Sequence, residues 1–168
     1  GDLSTGCVLP SIVRDSARQR FLVLCSTSLG NTVDQIADDD SVGPVAASID
    51  GYTLAPLAIP EADGNHVVLA FGRSAAGDVV NTAQRFDMES AVMTAVTLGG
   101  TVPSGSAGAF MVARQDESHL LVWPGNTTYE RGPLSFYSVD TSTLEWSLLH
   151  EDSSVGPPAV EAPVVTAA

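Results

Sequence analysis

The sequence predicts an all-β fold of repeated four-stranded antiparallel units, and three observations predict it. Three segments share an apolar–polar–apolar layout: VLPSIV, RDSARQR and FLVLC; TLAPLAI, PEADGNH and VVLAFG; AFMV, ARQDESH and LLVWPG. In each, the last apolar residue of the first run lies eight positions before the first of the second, at Val13 and Phe21, Ile59 and Val67, and Val112 and Leu120. Each polar connection is of a kind that closes a hairpin. The landmarks then recur 53 positions apart, from Ile59 to Val112, Val67 to Leu120 and Asp87 to Asp140, while Val13 to Ile59 is 46. A period near 50 with about four strands per unit is that of a β-propeller blade, and the 3.6-residue periodicity of helical repeats is absent.

Composition agrees with a packed domain. The 168 residues are 44% hydrophobic, enough for one core and too apolar for a disordered chain. All seven basic residues are Arg, against 20 Asp and Glu, for a net charge of −13. So acidic a surface repels phosphate, which argues against nucleic acid and anionic membranes as partners. No apolar run approaches the roughly 20 residues that span a bilayer. The chain begins at Gly1 rather than Met and shows no signal peptide, as expected of a processed product or a piece of a longer protein.

Taken in order, the repeats run over about 7–53, 54–106 and 107–155. In the first, only the opening hairpin is legible. Residues 26–44 read as a long loop, and Asp40-Ser41-Val42-Gly43-Pro44 echoes Asp152 to Pro157. Ser48 to Thr53 resembles the Asp-box turn of sialidase-type propellers, one residue short. The second repeat carries another long loop at 73–82. The third, Ala109 to Leu149, is the clearest, with four strands and the turn Asp140-Thr141-Ser142-Thr143 before Leu144 to Leu149. One further step of 53 from Val112 reaches Val165, so 158–168 reads as an extra first strand.

The third repeat orders Leu120 to Val122, Gly125, Tyr137, Val139-Asp140 and Trp146; the second orders Val67 to Phe71, Gly72, Phe86-Asp87, and Met93 in place of Trp. This pattern resembles the kelch family: an apolar strand, a glycine loop, a strand ending in Val-Asp, a short turn, then Trp. The family's paired glycines are reduced to Gly72 and Gly125, and Cys25-Ser26 replaces them in the first copy. The resemblance implies a partial kelch-like β-propeller, with recognition carried by loops.

Few residues point to chemistry. In the first hairpin, pairing Val13 with Phe21 makes Cys7 and Cys25 diagonal neighbours on one face, which predicts a disulfide and an oxidising compartment. Asn126-Thr127-Thr128 is an N-glycosylation sequon. Asp38, Asp39 and Asp40 are weak candidates for a hard cation, because three adjacent carboxylates do not alternate as calcium loops do. They read better as a solvated acidic loop. His66 and His119 are repeat-equivalent, lack metal-ligand spacing and read as structural. No serine elbow, phosphate loop, zinc pattern or dinucleotide fingerprint occurs.

These features predict a secreted or cell-surface, non-catalytic segment without a cofactor, binding a protein or glycan or other copies of itself. The alternatives are a self-assembling protein joined through its unpaired terminal strand, and a fragment of a propeller-based carbohydrate-active enzyme.

Overall fold

A computed structural model describes residues 8–27, 30–49, 56–72, 78, 82–104, 110–113, 118–124 and 133–155. Among these the chain is all-β, with no helix. Three antiparallel meanders follow one another. The first sheet holds β1 (Val8–Asp15), β2 (Arg20–Thr27), β3 (Gly30–Ala37) and β4 (Val42–Ile49). The second holds β5 (Leu57–Pro60), β6 (His66–Ala70), β7 (Ala83–Asp87) and β8 (Met93–Val96). After the two-residue β9 (Gly99–Gly100), the third holds β10 (Phe110–Ala113), β11 (His119–Trp123), β12 (Pro133–Asp140) and β13 (Glu145–Val155).

The register of the opening hairpin repeats from sheet to sheet, but one residue away from the predicted one. Val13 faces Leu22 rather than Phe21, Ile59 faces Val68, and Val112 faces Leu121. The cause is the turn. The first hairpin closes at Asp15 and Arg20 across four residues, with Gln19 at φ 51°. The second closes where Glu61 N–H donates to His66 O, again across four residues. An even loop shifts the pairing by one and turns each side chain to the other face. In the first sheet an irregularity between Val8 and Ser11 then brings Val8 opposite Ser26.

Two other expectations fail. Residues 26–44 are not a loop: β3 pairs with β2 from Arg20–Ala37 to Thr27–Gly30, and β4 begins at Val42. The echo of Asp40 to Pro44 in Asp152 to Pro157 does not mark equivalent places, since Val42 opens β4 whereas Val155 ends β13. The Asp-box-like turn beyond Ile49, most of 73–82 and the segment 158–168 lie outside the described residues.

Period-2 alternation builds two cores around β6. Val67 and Leu69, with Ala58 and Phe86, pack on Val13, Leu22, Leu24 and Val33 of the first sheet. Val68 and Ala70, with Leu57 and Ile59, pack on Leu120, Val122, Val139 and Trp146 of the third. From Val67 to Ala70 every β6 residue is fully buried, which explains why VVLA is a continuous apolar run rather than an alternating one. Each of the Val67, Val68 and Leu69 side chains contributes about 1.5–3 kcal/mol. The first and second sheets meet at their first strands, where Ser11 Oγ donates to Pro56 O at 2.6 Å.

β9 ties the second sheet to the third. It runs parallel to β13, pairing Gly99 with Glu145 and Gly100 with Trp146, and Thr101 N–H donates to Trp146 O at 2.8 Å. Gly100 sits at φ +72°, and a Cβ there would lie 2.2 Å from Trp146 O. Only glycine satisfies both constraints.

Candidate binding cleft

The three sheets share a cleft of about 720 Å³. Ile12, Arg14, Glu61, His66, Met111 and Thr141 contribute to its lining, so each sheet supplies part of the wall.

Two carboxylates, Asp15 buried and Glu61 nearly so, occupy repeat-equivalent places at the ends of the first strands, 46 positions apart. Asp15 is fully buried and accepts from Arg20 Nε at 2.8 Å and from Arg18 N–H at 3.2 Å. Glu61, nearly buried, accepts from Arg85 through Nε at 2.5 Å and Nη2 at 3.0 Å. An arginine fork satisfies a carboxylate's desolvated oxygens with matched geometry. Arg20 also donates to Gln35 Oε1 at 2.7 Å and, across the sheet boundary, to Met88 O at 2.6 Å. The sequence held one sign of this: Arg20 stands 46 positions before His66, at the same place in the repeat.

The histidines face acids. His66 is paired with Asp87 across β6 and β7, and His119 with Asp140 across β11 and β12; Nε2 lies 3.8 Å from the carboxylate in both. His66 Nδ1 lies 2.5 Å from Asp63 Oδ2. Partial burial pushes the Asp63 carboxyl up, but Asn65 N–H and the His66 ring outweigh it and hold it below the ordinary range. Glu61, Asp63 and His66 bring one ligand atom each within 4.8 Å of one another, the one such group among the described residues. Glu61 is already held by Arg85 there.

Asp87 and Asp140 open identical turns. Asp87 Oδ1 accepts from Glu89 and Ser90 N–H, and Asp140 Oδ1 from Ser142 and Thr143 N–H. Ala91 and Leu144 close these turns at φ 57° and 59°. The Ser142 hydroxyl, with the Ser142 and Thr143 N–H groups, draws the Asp140 carboxyl down to about 2.

The acidic triplet is placed differently. Asp38 pairs with Arg14 at 2.6 and 3.0 Å, Asp39 accepts from Ser41 N–H, and Asp40 turns the chain at φ 62°. Each has a separate local task, and the three are not gathered around one point. Cys25 is buried in β2, and no free cysteine occurs among the described residues. Cys7 and Asn126 lie outside those residues. No helix among the described residues is long and apolar enough to cross a membrane.

Neither a scan of protein-family models nor a search of curated proteins finds a significant match to this chain.

Proposed function

We propose that this chain is a three-sheet segment of a kelch-like β-propeller that binds a protein or glycan partner in the cleft where its sheets converge, without catalysis of its own. One observation carries the reading: three sheets whose opening hairpins share one register stack in sequence order and line a single cleft. Propellers place their recognition surfaces at such junctions of loops and strand ends.

Several features support the finer points. The buried carboxylates Asp15 and Glu61 are neutralised by Arg20 and Arg85. They therefore act as struts, which suits a binding wall better than acid–base chemistry. The net charge of −13 favours a partner that is basic or neutral. A Cys7–Cys25 disulfide and a glycan on Asn126 fit a secreted or cell-surface setting, and the buried, non-free Cys25 is in keeping with the first.

The test is binding to panels of immobilised glycans and of basic extracellular domains, comparing the wild type with Ser16→Arg and Ala62→Arg. Both residues are exposed and line the cleft. Each variant should lose at least tenfold in affinity at an unchanged melting temperature. Undiminished binding by both variants would place recognition elsewhere.

A further inference from the structure

The two ends of the stack are repeat-equivalent to faces already joined inside it. Phe21 stands 46 positions before Val67, and Leu120 stands 53 after it. Val67 and Leu120 face the sheet that precedes them and are buried, whereas Phe21 is 42% exposed. Similarly, Leu22 and Val68 face the sheet that follows and are buried, whereas the equivalent Leu121 is 38% exposed. Ile12, equivalent to the buried Ala58, lies beside Phe21's face and is 59% exposed. Farther along the same faces Val23, Cys25 and Trp123 are buried, so the exposed patches are limited to one end of each.

The ends are therefore unlike each other, and they match. The third sheet's outer face is of the kind that covers Val67 and Leu69 within the chain. The first sheet's outer face is of the kind so covered. We propose that two copies of this chain associate head to tail, Leu121 of each packing on Ile12 and Phe21 of the other, to close a ring of six sheets. The occupant is a second copy because the required contact continues an interface that the chain already makes twice. A heterologous contact closes into a ring when its rotation permits. The three described sheets of two copies make six, inside the usual range of about four to eight blades. The inference rests on the propeller reading above.

Charge opposes the ring, since each copy carries −13. The residues that would pack, Ile12, Phe21 and Leu121, are apolar, with the Arg14 guanidinium, paired to Asp38, over the Phe21 ring at 4.7 Å, and screening shortens from about 30 Å at 0.01 M salt to about 8 Å at 0.15 M. Association should therefore strengthen as salt rises.

Native mass by light scattering over a salt series is the test, with Phe21→Glu, Leu121→Glu and Leu22→Glu. The wild type should reach twice the mass of one chain at physiological salt. Phe21→Glu and Leu121→Glu should each remain folded monomers, and mixing them should restore a dimer through their one intact pair of faces. A wild-type monomer at all salt concentrations, or a dimer indifferent to both substitutions, overturns the ring. Leu22→Glu separates this from failure of the stack itself: it should unfold the chain, and if it is as harmless as Phe21→Glu the stacked-sheet reading falls as well.

Discussion

The carbonyl oxygens of Met88 and Thr141, 53 positions apart in the chain, are each capped by the sheet that precedes them. Arg20 Nη2 of the first sheet donates to Met88 O at 2.6 Å. Ala62 N–H of the second donates to Thr141 O at 3.0 Å. The groups on their own sheets are matched too: Met88 N–H donates to Asn65 O and Thr141 N–H to Ser118 O, both at 3.0 Å, with Asp38 N–H to Gln19 O at 3.1 Å in the first sheet. Equivalent turns are thus locked within each sheet, and those of the second and third sheets also to the sheet before.

Arg20 is the side-chain link in this chain of caps. Replacing it with Ala leaves the buried Asp15 short of its closest partner and Met88 O without its inter-sheet donor. The expected cost is about 3–5 kcal/mol by chemical denaturation. Arg20→Lys should recover only part, because an ammonium cannot fork to Asp15, Gln35 and Met88 together. Pairing Arg20→Ala with Asp15→Asn should cost less than the two single losses added.

Gly100 is required by two independent constraints. Gly100→Ala adds a Cβ 2.2 Å from Trp146 O at a left-handed φ, which should break the β9–β13 pairing. A loss of about 2 kcal/mol or more is expected. At Gly43, where an added Cβ meets nothing within 4 Å, the same change should be neutral or slightly stabilising.

Trp146 fills the core between the second and third sheets. It meets Phe71 edge-to-face at 5.5 Å and is fully buried, with no hydrogen-bond partner for Nε1 among the described residues. Trp146→Ala should cost about 3–5 kcal/mol. Trp146→Phe should cost clearly less, since it retains an aromatic ring and removes an unsatisfied donor. Equilibrium unfolding followed by far-UV circular dichroism measures both.

Acid should loosen the turns. The Asp140 carboxyl is held down to about 2 by the Ser142 hydroxyl and the Ser142 and Thr143 N–H groups, from an ordinary 3.8. A depressed folded-state value means that its stabilisation is complete above about pH 4 and is lost as pH falls towards 2. Asp87, lowered by the Ser90 and Glu89 N–H groups, acts in the same direction. The double variant Asp87→Asn, Asp140→Asn should therefore show a shallower fall in melting temperature between about pH 4 and pH 2 than the wild type.

The repeat was legible because each sheet's opening hairpin alternates apolar runs with a polar turn, and β6 is apolar from Val67 to Ala70 because both its faces are covered there. The Asp87 and Asp140 turns were equally visible, since a capping Asp recurs at fixed spacing. The register was missed because loop parity depends on backbone conformation at Gln19 and Gly64, not on where the apolar runs begin. β3 was missed because Asn31, Asp34 and Gln35 make it look like a loop; Asp34 is nevertheless buried in its sheet. β9 is only two glycines, with no side-chain pattern to read. The cleft draws on all three sheets, and no local spacing reports residues that meet only through stacking.

Amide hydrogen exchange of the native protein tests the stacked arrangement most directly. If β6 is the doubly covered centre, the amides of Val67, Val68, Leu69 and Ala70 should be the slowest to exchange, opening only with global unfolding. Exchange in β6 as fast as in the edge strand β8 would contradict the stack and everything built on it.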